Sequence, residues 1–210
     1  MMTGTAVRVL LVEDHFMARL ALRSILGDSP ALSIVGEADN GQEAVRLYAK
    51  LHPDVTVMDL NLPGLNGFEA ISAIRQQNRA AKIVVLTNYD GSEDVYRALR
   101  NGAMAYLTKD ASGQELVSAI QTVNQGVRYL PRTVRDRLAE RIPLTELTPR
   151  EQQVLALITH GNSNREIAVA LQIAEKTVRI HVSSVLDKLG ARDRTQAAIY
   201  AIQRGFVHLE

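Results

Sequence analysis

Short apolar runs alternate with stretches of helical spacing five times in the first part of this chain. "VRVLLVED" precedes "FMARLALRSIL", "LSIVGEA" precedes "GQEAVRLYAKL", and "DVTVMDL" precedes "GFEAISAIRQQ". "KIVVLTN" then precedes "EDVYRALRNG", and "MAYLTK" precedes "GQELVSAIQTVNQG". Continuous apolar runs, rather than alternating ones, belong to strands buried on both faces, so the pattern calls for an all-parallel sheet with helices on each side. Right-handed crossovers then favour a doubly wound α/β order such as 2-1-3-4-5.

The rhythm changes after Gly126. "VRYLPRTVRDRLAERIPLTE" carries Pro131 and Pro143 around one charged helical piece, which reads as a linker helix over residues 127–145. From 146 to 210 the strand signals stop and helix starts become legible. Thr148 and Glu151 form a capping box with Pro149 at the first helical position, and Ser163 and Glu166 form a second. Asp193 with Gln196 is a looser third, and Gly161, Gly190 and Gly205 stand where helices end. The expected organisation is an α/β domain over 1–126, the linker, and a small all-α domain over 146–210.

The chain has no cysteine, which excludes disulfides and thiolate metal sites and fits a reducing compartment. No apolar run is long enough to span a bilayer, and the start lacks the features of a signal peptide, so a cytoplasmic protein without membrane contact is expected. Residues 1–130 hold 12 basic and 14 acidic side chains, and residues 131–210 hold 12 and 9. A mildly acidic front and a basic back suggest two tasks.

In the first domain, chemistry-bearing residues fall at the carboxyl ends of successive strands. Glu13 and Asp14 end the first, Asp59 the third and Thr87 the fourth, and Lys109 follows the fifth. In a 2-1-3-4-5 sheet the first and third strands adjoin at the switch point where ligands bind. Converging carboxylates raise one another's pKa, and a hard cation such as Mg²⁺ relieves that. A carboxylate held there can attack phosphorus, while a lysine and a hydroxyl support the phosphoryl oxygens. Singly, an Asp at a strand end is a turn residue and a lysine is a solvated one; the ordered set is what points to phosphoryl chemistry.

"LLVEDH", "VMDLNLPGLNGFEA", "VVLTN" and "GAMAYLTKD" resemble the receiver domain of bacterial two-component response regulators, over about Val7 to Gly126. The resemblance implies that Asp59 accepts a phosphoryl group from a sensor histidine kinase. It assigns Mg²⁺ to Glu13, Asp14, Asp59 and the main-chain carbonyl of Asn61, and the phosphoryl oxygens to Thr87 and Lys109. Tyr106 is the aromatic that turns inward when Thr87 moves, unless it is simply a ring packed on the last strand. A phosphatase with true turnover would need an acid two residues after the nucleophile, where this chain has Asn61; no enzymatic turnover is expected.

"NREIAVALQIAEKTVRIHVSSVLDKLG" reads as helix, short turn, helix. Apolar spacing alone fits either a DNA-binding helix-turn-helix or a generic helical hairpin. Val178, Val182, Val185 and Leu189 form the inward stripe, and the outward face carries Lys176, Arg179, Ile180, Ser183 and Ser184. Basic and hydroxyl side chains can meet phosphates and base edges, and an apolar one can meet the thymine methyl. An isolated exposed isoleucine is also ordinary.

"LTPREQQVLALITHGNSNREIAVALQIAEKTVRIHVSSVLDKLGARDRTQAAIYA" resembles the four-helix LuxR-type DNA-binding domain, which makes the whole chain similar to the NarL/FixJ class of response regulators. The resemblance places Arg179, Ile180 and Ser183 at base-reading positions and Lys176, Thr177, Lys188 and Arg194 near phosphates of double-stranded DNA. It assigns Ala198, Ile199 and Ile202 of the last helix to pairing in a homodimer on two half-sites when phosphorylated. Two departures stand out. Ala174 occupies the usual serine cap, and Ser183 stands where some members carry lysine. A constitutive DNA binder whose receiver only dimerises is the rival expectation.

Overall fold

A computed structural model describes residues 5–139 and 147–207. It has one compact unit built from residues up to Tyr89 and from Val95 to Asp136, and a second built from Asp90–Asp94 and the residues from Arg137 onward.

From its start the chain runs β1 (Val7–Val12), α1 (Phe16–Gly27), β2 (Leu32–Ala38), α2 (Gly41–Leu51), β3 (Val55–Met58), α3 (Gly67–Gln77), β4 (Ile83–Thr87), α4 (Ser92–Asn101), β5 (Ala105–Thr108) and α5 (Gly113–Asn124). All strand pairs are parallel, in the order β2-β1-β3-β4-β5. The expected doubly wound sheet is therefore the observed one.

The run Val9–Val12 is no more than 1% exposed because β1 lies between β2 and β3 with both faces covered. Side chains alternate across a strand. Val9, Leu11, Val57, Val84 and Leu86 accordingly form one face, sealed by Leu22 and Leu26 of α1 and by Leu116, Ala119, Ile120 and Val123 of α5. The α5 residues recur at helical spacing, which gives that helix its apolar stripe. Asn40, Asn66 and Ser112 cap α2, α3 and α5, and Asn66 completes a capping box with Glu69.

Within the first unit, beyond α5, Tyr129 makes contacts that the linker expectation does not include. Its N–H donates to the Met104 carbonyl at 3.0 Å, making a single parallel bridge alongside β5. Its hydroxyl donates to Glu115 at 3.3 Å. The expected linker helix is α6 (Arg132–Ala139), starting just after Pro131. Pro143 and the end of the expected linker lie outside the described residues.

The second unit holds α7 (Pro149–Thr159), α8 (Asn164–Leu171), α9 (Glu175–Leu189) and α10 (Arg194–Gln203). The capping boxes at Thr148 and Ser163 are both formed, and Asp193 accepts from the Gln196 N–H at 2.8 Å. Gln172, with φ +54°, turns the chain from α8 towards α9, and Ile173 folds back on the core. One apolar cluster joins Leu155, Val185, Leu189, Ala197 and Ala201; a second joins Val154, Ile158, Ile167, Ala168 and Val178. The inward stripe of α9 thus packs on three other helices. Among the described residues, no helix is long and apolar enough to cross a membrane.

Candidate functional site

Parallel pairing brings the receiver carboxylates together. The Asp59 N–H donates to the Val12 carbonyl at 3.0 Å, which sets the end of β3 beside the end of β1. Glu13 and Asp59 are 1% and 3% exposed, and Asp14 is exposed. One oxygen from each of the three lies within 4.8 Å of the others. Lys109, carried just past β5, places its Nζ 2.6 Å from Asp59 Oδ2 and 2.7 Å from Glu13 Oε2.

One lysine for two buried carboxylates leaves excess negative charge. Burial pushes the Glu13 carboxyl above the usual range and Asp59 pushes it further, while Lys109 pulls the other way. Burial acts to lower the Lys109 ammonium, yet its bonds to Asp59 and Glu13 outweigh that and raise it. An all-oxygen cluster of net negative charge, one member open to solvent, suits a hard divalent cation that keeps several waters.

The main chain around Asp59 is equally specific. Asp59 Oδ1 accepts the Leu60 N–H at 2.6 Å and the Asn61 N–H at 3.2 Å. Gly67 opens α3 so close to this strand end that a Cβ there would lie 2.1 Å from the Asp59 carbonyl oxygen. Arg19 of α1 donates to the Glu13 carbonyl. Sequence reading passed over Gly67 and Arg19; the glycine inside "GLNGFEA" was the available signal.

Thr87 is fully buried at the end of β4, and its Oγ1 accepts the Tyr89 N–H at 3.4 Å. Tyr106 is also fully buried and donates its hydroxyl to the Tyr89 carbonyl at 2.8 Å. The ring therefore occupies the inward position, and the loop after β4 is tied to both side chains.

In the second unit, Lys176, Arg179, Ile180 and Ser183 are all on the exposed face of α9, with Thr177 half-buried beside them. Ile180 is 62% exposed and belongs to neither apolar cluster of the unit. Arg179 pairs with Glu175 one turn back at 2.7 Å, a bond weak enough at an exposed site to be exchanged for another partner. Ala174 stands at the N-cap of α9 and supplies no side-chain bond.

Four of the expected residues are also engaged within their own unit. Lys188, which the resemblance places near phosphates, has its Nζ 2.6 Å from Glu151 Oε2, with 22% of its side chain exposed. Ser184, read as part of the outer face, donates to Glu151 Oε1 at 2.6 Å. Both lie on the flank of α9 that turns towards α7. Arg194 is likewise engaged inside its unit, donating to the Asn162 carbonyl and to Asn164. Ala198 is half-buried and packs against the cluster around Val154 and Ile167, while Ile199 and Ile202 are more open, at 47% and 39%.

Glu151 was read as a capping residue and is more. It is 5% exposed and takes bonds from Lys188, Ser184, the Thr148 N–H at 2.7 Å and the Thr148 hydroxyl at 2.9 Å. Burial acts to raise its pKa, but these donors together hold it down at about 2.

A doubly wound sheet whose carboxyl edge gathers Glu13, Asp14, Asp59, Thr87 and Lys109, on a chain that continues into a helix-turn-helix, defines a two-component response regulator. Residues 9–121 match the response regulator receiver domain, and residues 145–201 match the bacterial regulatory proteins of the luxR family. The chain belongs to the luxR-type response regulators, which are DNA-binding transcription regulators. It is 38% identical to the transcriptional regulatory protein LiaR of Bacillus subtilis over 210 residues, covering 96% of this chain and 100% of LiaR. The crystal structure of ChrA, response regulator of a heme-sensing two-component system, matches at 34% identity and a TM-score of 0.59, over 97% of this chain and all of ChrA. The structure of an RcsB–DNA complex matches at 25% identity and a TM-score of 0.69, over 93% of this chain and 98% of RcsB.

Proposed function

We propose that this protein is switched by phosphorylation of Asp59, with the receiver over 1–126, a linker over 127–145 and the DNA-binding domain over 146–210. The observation that carries the proposal is the shared bonding of Lys109 to two buried carboxylates at the switch point of the sheet. An Asp59 oxygen attacks the phosphorus of a phosphohistidine on a sensor kinase. The P–N bond breaks, the kinase imidazole leaves with the electron pair, and Asp59 becomes an acyl phosphate. Glu13, Asp14, Asp59 and the Asn61 main-chain carbonyl would hold Mg²⁺, which offsets the charge of the carboxylates and of the incoming group.

Lys109 exchanges its bond with Asp59 for one to a phosphoryl oxygen, and the Thr87 hydroxyl donates to another. Drawing Thr87 towards the phosphoryl group loosens its bond to the Tyr89 N–H, and so disturbs the loop that Tyr106 holds by the Tyr89 carbonyl. That change favours a homodimer, with Ile199 and Ile202 as contact candidates, on DNA with two half-sites. Arg179, Ile180 and Ser183 read bases there while Lys176 and Thr177 meet phosphates. Asn61 offers no acid for hydrolytic turnover, so the protein acts as a cytoplasmic switch and not as an enzyme.

Incubation with an acyl-phosphate donor and Mg²⁺ tests this reading. Wild type should take up phosphoryl label and gain affinity for DNA, and Asp59→Ala should do neither. Equal labelling of the two proteins, or sustained turnover of a phosphomonoester, would overturn it.

A further inference from the structure

Lys188 and Ser184 are one turn apart on α9, and both end on the same buried carboxylate. At about 100° per residue they stand roughly 80° and 40° around the helix from Ile180, on the border between the packed stripe and the outer face. The packed stripe itself is Val178, Val185 and Leu189. The apolar stripe fixes which side of α9 turns inward, but being non-directional it sets the finer angle of the helix less sharply than a directional bond. Hydrogen bonds to a carboxylate set that angle more sharply, because they weaken steeply with misalignment. Glu151 is in turn fixed to the start of α7 by two bonds from Thr148.

We infer that Glu151, Ser184 and Lys188 form a clamp that sets the roll of α9, so that Arg179, Ile180 and Ser183 reach base edges in register. These are positioning residues: they act through the helix they hold and do not touch DNA. The inference rests on the reading of α9 as the DNA-contacting helix. It departs from that reading at Lys188, whose charge is already spent on a buried carboxylate at 2.6 Å. A lysine so held contributes little to neutralising a phosphate. A roll of the helix would leave sequence-independent attraction to the phosphate backbone in place and remove the match to particular bases, because base contacts alone carry specificity.

The test uses full-length protein treated with an acyl-phosphate donor and Mg²⁺. A duplex is first selected by wild type from a random-sequence pool. Affinities for that duplex and for unselected DNA are then measured across a range of salt for wild type, Ser184→Ala, Ser184→Thr and Lys188→Met. A clamp predicts that Ser184→Ala and Lys188→Met each lower the ratio of selected to unselected affinity by about tenfold. It also predicts an unchanged salt slope, and recovery of most of the ratio in Ser184→Thr, which keeps the hydroxyl. Thermal melting of each variant reports whether it is folded under these conditions. Uniform loss on both duplexes with a salt slope smaller by about one would make Lys188 a phosphate contact and overturn the clamp. An unchanged ratio in folded Ser184→Ala would overturn it as well. Failure of wild type to enrich any sequence would overturn the DNA reading on which the clamp rests.

Discussion

Glu13 and Glu151 are buried to a similar degree, 1% and 5% exposed, and each bonds to a lysine that is itself about one-fifth exposed. Their carboxyls move in opposite directions: Glu13 upward, Glu151 down to about 2. Burial acts on both in the same sense, and their partners differ. Glu151 has Lys188, Ser184 and two donors from Thr148 to itself. Glu13 shares Lys109 with Asp59, and Asp59 is a second negative charge against it. One carboxylate is satisfied by the fold, and the other is left needing something from outside. A buried, fully bonded charge serves structure; a buried charge left in surplus marks a place where a ligand completes the fold.

The largest test of that contrast is addition of Mg²⁺. A ligand that binds only the folded state at a hundred times its Kd stabilises it by about 2.7 kcal/mol. Hydrogen exchange on the intact protein should show that gain in the amides of β1 and β3. Glu13→Gln should lose most of it, and Glu151→Gln should keep all of it. Equal Mg²⁺ responses in the two variants would break the contrast.

The two substitutions without metal come next. Glu151→Gln strands Lys188 and should cost roughly 2 kcal/mol in the opening of α7 and α9, less than for a wholly buried pair because the lysine reaches solvent. Glu13→Gln should leave the receiver as stable or more so, since it removes one of two competing charges. The signs with pH differ accordingly. A carboxyl depressed in the fold adds stability that is present above its unfolded pKa, near 4.3, and lost as pH falls through about 2. The gap between wild type and Glu151→Gln should therefore close as the pH falls through that window. A carboxyl raised in the fold does the reverse, and the receiver should lose stability as pH rises through the range where Glu13 ionises. Denaturant melts of each unit across pH, followed by exchange or residue-specific signals, check both.

This contrast was only half visible in the sequence. Acids at the ends of "LLVED" and "VMDL" can be placed side by side once the strand order is known, because parallel pairing admits few topologies. Capping boxes at Thr148 and Ser163 were legible because a cap acts within four residues. Glu151 as a clamp was not, since its other partners lie 33 and 37 residues away on a flank that a helical wheel assigns equally to core or surface. Ser184 reads as outward because polarity is the only guide at such a border. Tyr129 escaped notice for a related reason: a single bridge to Ala105 has no periodicity to betray it.

The second unit keeps a surplus of its own, of a different kind. Ile180 presents an apolar side chain to water at 62% exposure, with Lys176, Arg179 and Ser183 exposed on the same face. It packs into neither apolar cluster of its unit, so removing it should change stability by no more than about 0.5 kcal/mol, the range of ordinary surface substitutions. It carries no charge, so the salt dependence of DNA binding should not move. What Ile180→Ala removes is a surface able to cover a thymine methyl, and the loss should fall at one base pair, on the order of 1 kcal/mol in discrimination. Selection from random duplexes by the wild-type and variant proteins would locate that pair. A drop of several degrees in melting temperature would make Ile180 part of the fold's own packing, and a loss spread evenly over the site would make it part of the helix's positioning. A loss confined to one base pair in a protein of unchanged stability would put Ile180 beside Glu13: a side chain the fold leaves unsatisfied and the partner completes.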